Sequence, residues 1–287
     1  MIKAGAGMDK YRNVYKTPEL FFHHAIDEKP DQAKFQMHIH IHYEIYYFVS
    51  GDVHYLVENS EYPLKPGSIL LMRPMEYHMA KIISDGRYDR YDVIFSEGML
   101  DFIDPGRRLL APFLSRPLGK DNIYTPGDFS GTDPLELFKA MEVDDRSPEI
   151  KRMAVLANLY PLLWELRKAF AGKGESGRQD AGSLTDKILR YMNRHLFDDI
   201  SIESISEHFY VSPSYLHRLI KDAVGTSAWK YITLKRLSAA RGEIQSGVAA
   251  TEACRKCGFK DYSAFYRAYK KRYGISPAKD EISNLNR

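Results

Sequence analysis

The chain of 287 residues has only two cysteines, Cys254 and Cys257. So few build no disulfide framework, and a cytoplasmic setting is the expectation. No run approaches the roughly 18 apolar residues of a membrane helix. The opening MIKAGAGMDKYRNVYK has no apolar core of a secretion signal, so no membrane partner is expected. Hydrophobic residues make up 44% and charged residues 28%, which excludes a disordered or collagen-like chain. A Ser-His-Asp pattern, a phosphate-cradling glycine loop and a dinucleotide fingerprint are all missing.

What is present is unevenly placed. Residues 184–287 carry 18 Lys and Arg against 11 Asp and Glu, leaving 23 against 27 for residues 1–183. Seven of the ten histidines fall at or before His78. An acidic front and a basic back point to two modules, the back facing a polyanion.

The front reads as β-structure. Over residues 35–95, short apolar and aromatic runs are broken by Ser50-Gly51-Asp52, Asn59-Ser60-Glu61 and Pro66-Gly67. Such spacing predicts an antiparallel sandwich or barrel. Residues 100–127 are rich in Pro and Gly and predict no element. Leu135, Phe138 and Met141 then predict a short helix. Ile150, Met153, Leu156, Leu163, Leu166 and Phe170 predict a longer one, bent at Pro161. This stripe serves either pairing between two copies or packing on the chain's own sheet. The polar, Gly-rich stretch 172–183 (GKGESGRQDAGS) reads as a linker.

Residues 184–280 are helical in pattern and hold a weak repeat, Ile202–Asp222 and Thr251–Lys271. In the first copy Ser212 is a natural N-cap, and Pro213 takes the favoured first helical position. Leu216, Leu219 and Ile220 form an inward stripe, with Ser214, His217, Arg218 and Lys221 on the other side. In the second copy Gly258 supplies a turn, Asp261 caps, and Phe265 and Tyr269 point inward. Ser263, Arg267 and Lys270 share the outer face. Between the copies, Ser227–Gln245 can form one helix roughly 28 Å long. That length holds two recognition helices about one DNA turn, roughly 34 Å, apart. A short helix bracing a second one with a basic outer face is what major-groove reading requires. The groove admits one helix, and Arg contacts guanine through two hydrogen bonds. The competing reading, a bundle with solvated Lys and Arg, weakens when the unit occurs in tandem. For Cys254 and Cys257 apolar packing is the expected role, since a closed zinc site needs four ligands and no second Cys or His pair lies nearby.

The stretches SPSYLHRLIKDAVG, RLSAA and CGFKDYSAFYRAYKKRYGISP carry a resemblance. Residues 184–280 resemble the DNA-binding domain of AraC/XylS-family transcription regulators. The resemblance implies base-reading positions at Ser214 and Arg218 and at Ser263 and Arg267, with His217 and Tyr262 as neighbours. It implies double-stranded promoter DNA and RNA polymerase as partners. There are departures: Ser206 and Cys254 stand where the family packs Ala, Ala253 where a larger aliphatic is usual, and Ile220 where Phe is usual.

The densest cluster is MHIHIHYEIYYFVSG. Residues two apart share a strand face, which places His38, His40, His42, Glu44 and Tyr46 on one side. His78 follows on a later strand. Imidazoles with a carboxylate suit Fe, Mn, Ni, Cu or Zn. The stretch is similar to the first cupin motif, read on His38, His40, Glu44 and Gly51, with Gly67 and His78 standing for the second. There Pro74 is displaced by one position, Glu76-Tyr77 replaces the usual Gly region, and no Asn follows His78. Three readings stay open. The first is a pocket for a small organic effector, commonly a sugar, lined by His38, His40, His42, Glu44, Tyr46 and His78. The second is a divalent metal on His38, His40, Glu44 and His78, in a sensor or a metal-dependent cupin enzyme. The third is a hydrogen-bonded structural network. His54 is a further candidate for the pocket.

Together these resemblances imply a two-domain α+β chain. A cupin-like, effector-sensing antiparallel β-barrel spans residues 1–127, and a helical dimerisation or packing region spans 128–171. A linker over 172–183 leads to an AraC-type double helix-turn-helix domain over 184–287. The implied protein is a homodimeric transcription activator that is not an enzyme and requires no cofactor.

Overall fold

The computed structural model describes residues 10–145, 147–173 and 184–280. The chain divides into two compact units on either side of residue 181, with Ile39–Ile41 grouped with the second. Most of the expected linker, from residue 174 onward, lies outside the described residues.

Among the described residues, the N-terminal unit holds nine strands: β1 (Lys10–Lys16), β2 (Leu20–Asp27), β3 (Tyr43–Ser50), β4 (Val53–Val57), β5 (Ser60–Pro63), β6 (Ile69–Met72), β7 (His78–Ile82), β8 (Tyr88–Phe95) and β9 (Ile123–Tyr124). All pairings are antiparallel. They form a six-stranded sheet in the order β1-β2-β8-β3-β6-β9 and a three-stranded sheet in the order β5-β4-β7. The domain is therefore antiparallel and cupin-like, as two sheets rather than one closed barrel. β1 and β2 precede the region read as strands.

Alternation along β3 sorts two cores. Tyr43, Ile45 and Tyr47 join Tyr91, Val93 and Phe95 of β8 under the helices. Tyr46 and Phe48 join Leu70, Met72, Tyr55 and Val57 on the opposite side. The first face is covered by α1 (Ala111–Leu114), α2 (Pro134–Met141) and α3 (Pro148–Gly172). Asp133 and Ser147 cap α2 and α3, each ahead of a proline at the first helical position. α3 runs on through Pro161.

The buried stripe of α3 keeps the later part of the expected one and departs from its start. Leu163 and Leu166 are buried and Leu156 and Phe170 pack beside them, but Val155, Leu159 and Leu162 are buried too, while Ile150, Met153 and Trp164 are exposed. The sheet that the helix meets chooses its buried face, and the first apolar residues of the helix do not. This stripe packs on the unit's own sheet, where each buried Leu or Phe contributes about 1.5–3 kcal/mol.

The C-terminal unit holds α4 (Leu184–Arg194), α5 (Ile202–His208), α6 (Pro213–Val224), α7 (Ala228–Gln245), α8 (Ala250–Lys256) and α9 (Tyr262–Tyr273). α7 is the predicted connecting helix, with Ser227 as its N-cap. Cys254 and Cys257 are buried with Phe265 and Tyr269 in one apolar cluster. Burial pushes the Cys257 thiol up to about 12, which keeps it protonated and inert. No helix among the described residues is long and apolar enough to cross a membrane.

Candidate effector and DNA-binding sites

The histidine row does not lie on one strand. β3 begins only at Tyr43, and His38 instead forms an isolated bridge with His78. His38 N–H donates to the His78 carbonyl at 2.9 Å, and His78 N–H donates back at 3.0 Å. This bridge sets the two rings 4.2 Å apart, centre to centre. One ligating atom from each of His38, His40, Glu44 and His78 lies within 4.8 Å of the others. His42 is outside this group, because the period-two rule has no strand to act on before Tyr43. His54 is outside it too, paired with Glu61 at 2.7 Å.

Each ring nitrogen that faces a carbonyl must donate to it. Nδ1 of His78 donates to Glu76 O at 2.7 Å, and Nδ1 of His38 donates to Gln36 O at 3.0 Å. The other ring nitrogen of His78, Nε2, stands 3.2 Å from Glu44 Oε2, to which the protonated ring donates. Burial works to lower the His78 pKa, but Glu44 outweighs it and raises the value. The buried Tyr46 hydroxyl meets Tyr88 Oη at 2.6 Å, and Tyr55 Oη donates to Glu44 Oε1 at 3.5 Å. A separate pocket of about 400 Å³ opens elsewhere, lined by Tyr47, Gly67, Phe129 and Leu135 among others. None of the six expected effector residues lines it.

Three ionic networks escaped the sequence reading. Glu76 is fully buried and accepts from both terminal nitrogens of Arg116, at 2.8 and 2.7 Å. It also accepts from Gly119 N at 2.8 Å and Asn122 Nδ2 at 3.1 Å. Burial raises its pKa, but Arg116 outweighs that and holds it at about 2. Glu76 stands in the region where the cupin pattern departs, and it anchors the segment 100–127 that had predicted no element. Arg90 donates to Asp27 at 2.6 Å, both buried. His24 lies between Asp89 at 2.7 Å and Glu142 at 2.6 Å, stacked on Tyr91 at 4.1 Å. No local pattern announces these pairs, since their partners are tens of residues apart.

In the C-terminal unit, caps set both recognition-type helices. Ser212 Oγ accepts from Tyr215 N, and Asp261 accepts from Ser263 N and Ala264 N. Leu216 and Ile220 of α6 are buried, while Ser214, His217, Arg218 and Lys221 are exposed. On α9, Phe265 and Tyr269 are buried, while Tyr262, Ser263, Arg267 and Lys270 are exposed. The Arg218 guanidinium lies 5.1 Å from the Tyr215 ring centre. Arg236 of α7 donates to the carbonyls of Leu196 (2.7 Å), Asp198 (2.7 Å) and Gly258 (2.8 Å). This buried guanidinium ties the α4–α5 connection and the turn after α8 to the connecting helix.

A model of the AraC-like ligand binding domain matches residues 23–116, and a helix-turn-helix domain model matches residues 205–280. The HTH-type transcriptional activator RhaS of Escherichia coli O81 (strain ED1a) is 23% identical over 262 residues, which covers 88% of this chain and 90% of RhaS. Among solved structures, ToxT from Vibrio cholerae is 13% identical and aligns with 92% of this chain and 98% of its own at a TM-score of 0.37. The C-terminal domain of AraT, a response regulator from Geobacillus stearothermophilus, is 28% identical over 36% of this chain and 86% of its own, at a TM-score of 0.34. With an AraC-like ligand-binding domain ahead of a helix-turn-helix DNA-binding domain, and with RhaS matched along most of its length, the chain belongs to the AraC family of transcription regulators.

Proposed function

We propose that this chain is an effector-responsive activator that grips promoter DNA through α6 and α9. One observation carries the reading. In two units of the same construction, Arg218 and Arg267 stand exposed on the second helix while its apolar side is sealed. Ser214 and Arg218, then Ser263 and Arg267, read base edges, with His217 and Tyr262 beside them. Lys221 and Lys270 neutralise phosphates. RhaS is named an activator, which supports activation here, with RNA polymerase as the partner. The exposed Ile150, Met153 and Trp164 of α3 support a homodimer formed through the helical region 128–171. The effector is a small, oxygen-rich organic molecule such as a sugar, received by His38, His40, His42, Glu44, Tyr46 and His78. It acts by favouring one arrangement of sensor, linker and DNA domain in the cytoplasm.

Selection of host-genome fragments on the purified protein tests this. Wild type recovers a recurring site, and Arg218→Ala and Arg267→Ala each lose it. Identical recovery from all three proteins refutes the assignment.

The compact donor set favours a second reading, a divalent metal on His38, His40, Glu44 and His78. Two imidazoles oriented by backbone carbonyls, with a carboxylate, fit such an ion. Bound there, it would supply a Lewis acid to an oxygen-bearing effector. Near-stoichiometric metal in purified protein, lost in His40→Ala, supports this reading. Metal-free protein that still answers its effector rejects it.

A further inference from the structure

Both helix-turn-helix turns are closed by the same two backbone hydrogen bonds. After α5, Tyr210 N–H donates to Glu207 O at 3.2 Å, and Val211 N–H donates to Ser206 O at 3.0 Å. After α8, Gly258 N–H donates to Arg255 O at 3.1 Å, and Phe259 N–H donates to Cys254 O at 3.0 Å. This is the Schellman closure of a helix, whose turning residue sits in the left-handed region. The φ there is +55° at Tyr210 and +78° at Gly258. Glycine enters that region without a Cβ, whereas other residues do so under strain. Gly258 has a second reason to be glycine: a Cβ would lie 2.8 Å from the Phe197 carbonyl oxygen and 3.1 Å from Arg236 Cζ. The first unit places a tyrosine at the same point, and that tyrosine is 96% exposed. The closing hydrogen bonds require the left-handed turn but not a tyrosine in it, and a side chain so exposed buries almost nothing that would favour it over glycine.

The side chain of Tyr210 is therefore left to serve something other than the packing of its own helices. Tyr210 stands at the mouth of α6, four residues before Ser214, with Tyr215 and Arg218 exposed just beyond it. A phenol O–H is a neutral donor suited to a phosphate oxygen. We propose that Tyr210 is a DNA-backbone contact, its hydroxyl donating to a phosphate beside the bases that α6 reads and so setting the register of that helix. The proposal rests on the reading of α6 as a recognition helix. At the second turn, Gly258 offers no such side chain, so only the first unit is anchored in this way.

The test uses the full chain and two duplexes, the one recovered from the host genome and one of scrambled sequence. Tyr210→Gly is expected to raise the melting temperature of the C-terminal unit by roughly 4 °C. It is also expected to weaken binding to both duplexes about three- to tenfold. The salt dependence stays at the wild-type slope, because a neutral donor releases no counterion. Tyr210→Phe shows the same loss of binding at the wild-type melting temperature. Wild-type affinity in Tyr210→Gly overturns the contact. If Arg218→Ala is weakened in that same experiment, the reading of α6 survives; if Arg218→Ala also binds like wild type, that reading falls too. A lower melting temperature in Tyr210→Gly likewise overturns the proposal, since the tyrosine would then serve the fold.

Discussion

Both units bury charge, and they satisfy it in different ways. In the N-terminal unit, buried cations face carboxylates: Arg116 meets Glu76, Arg90 meets Asp27, and His24 lies between Asp89 and the half-buried Glu142. In the C-terminal unit, the buried Arg236 donates to three backbone carbonyls. Arg241 and Asp280, at 3.0 Å, repeat the first pattern near its end. A carboxylate titrates and a carbonyl does not. The difference teaches that the sensor half depends on matched ionisation states, while the DNA-binding half uses its buried guanidinium as a clamp and keeps its recognition charges in water.

The contrast can be broken or sharpened in four ways, and one probe suits two of them. The chain has two tryptophans, Trp164 in α3 and Trp229 in α7, so single-Trp variants follow each unit separately. Arg116→Ala has the largest expected effect. It leaves Glu76 buried with neutral donors from Gly119 and Asn122 and with the Arg73 guanidinium 3.9 Å away, at a cost of about 3–5 kcal/mol. The Trp164 denaturation midpoint falls while that of Trp229 holds; equal shifts at both probes would erase the contrast.

Raising the pH comes next. Burial opposes the charged form of His24, but Asp89 and Glu142 outweigh it and raise the pKa from 6.5 to about 9. The stabilisation is fully present below 6.5 and is lost as pH climbs through 9. The expected loss, on the order of 2–3 kcal/mol, is read at Trp164 and disappears in His24→Gln. A flat Trp164 profile across that range counts against the ionic clamp. Glu76 acts in the opposite sense: its contribution is present above 4.5 and lost as pH falls toward 2.

Arg218→Ala and Arg267→Ala should each weaken specific DNA binding by about 1–3 kcal/mol with unchanged melting. Matching losses in stability would make these residues struts. The smallest effect concerns Ser206, whose buried Oγ has no hydrogen-bond partner among the described residues. Ser206→Ala should stabilise the C-terminal unit by about 1 kcal/mol in denaturant titration. Destabilisation would reveal a bond that the hydroxyl makes.

Legibility followed the range of the signal. α6 and α9 start where Ser212-Pro213 and Asp261 place them, because a cap acts within one turn. Their outward faces carry the residues that the spacing selected, since 3.6 residues per turn is a local rule. In the N-terminal unit, β1 and β2 went unread. In α3 the expected Leu163 and Leu166 are buried, but at its start Val155 and Leu159 are buried while Ile150 and Met153 are exposed, because the sheet beneath selects the face. His38, His40, Glu44 and His78 do converge, although through a bridge and not along a strand, and the loss of strand regularity left His42 out.

The amino-acid order alone determined the two modules, the tandem helix-turn-helix pattern and the donor types of the histidine cluster. Each of these is written in neighbouring residues. Only the tertiary structure decided that His78 closes on His38, that Glu76 finds Arg116 forty positions away, and that His24 is clamped from two elements. Joining distant residues costs an entropy that hardly depends on which distant pair meets. Long-range ionic partners therefore leave no periodic trace, and packing selects them.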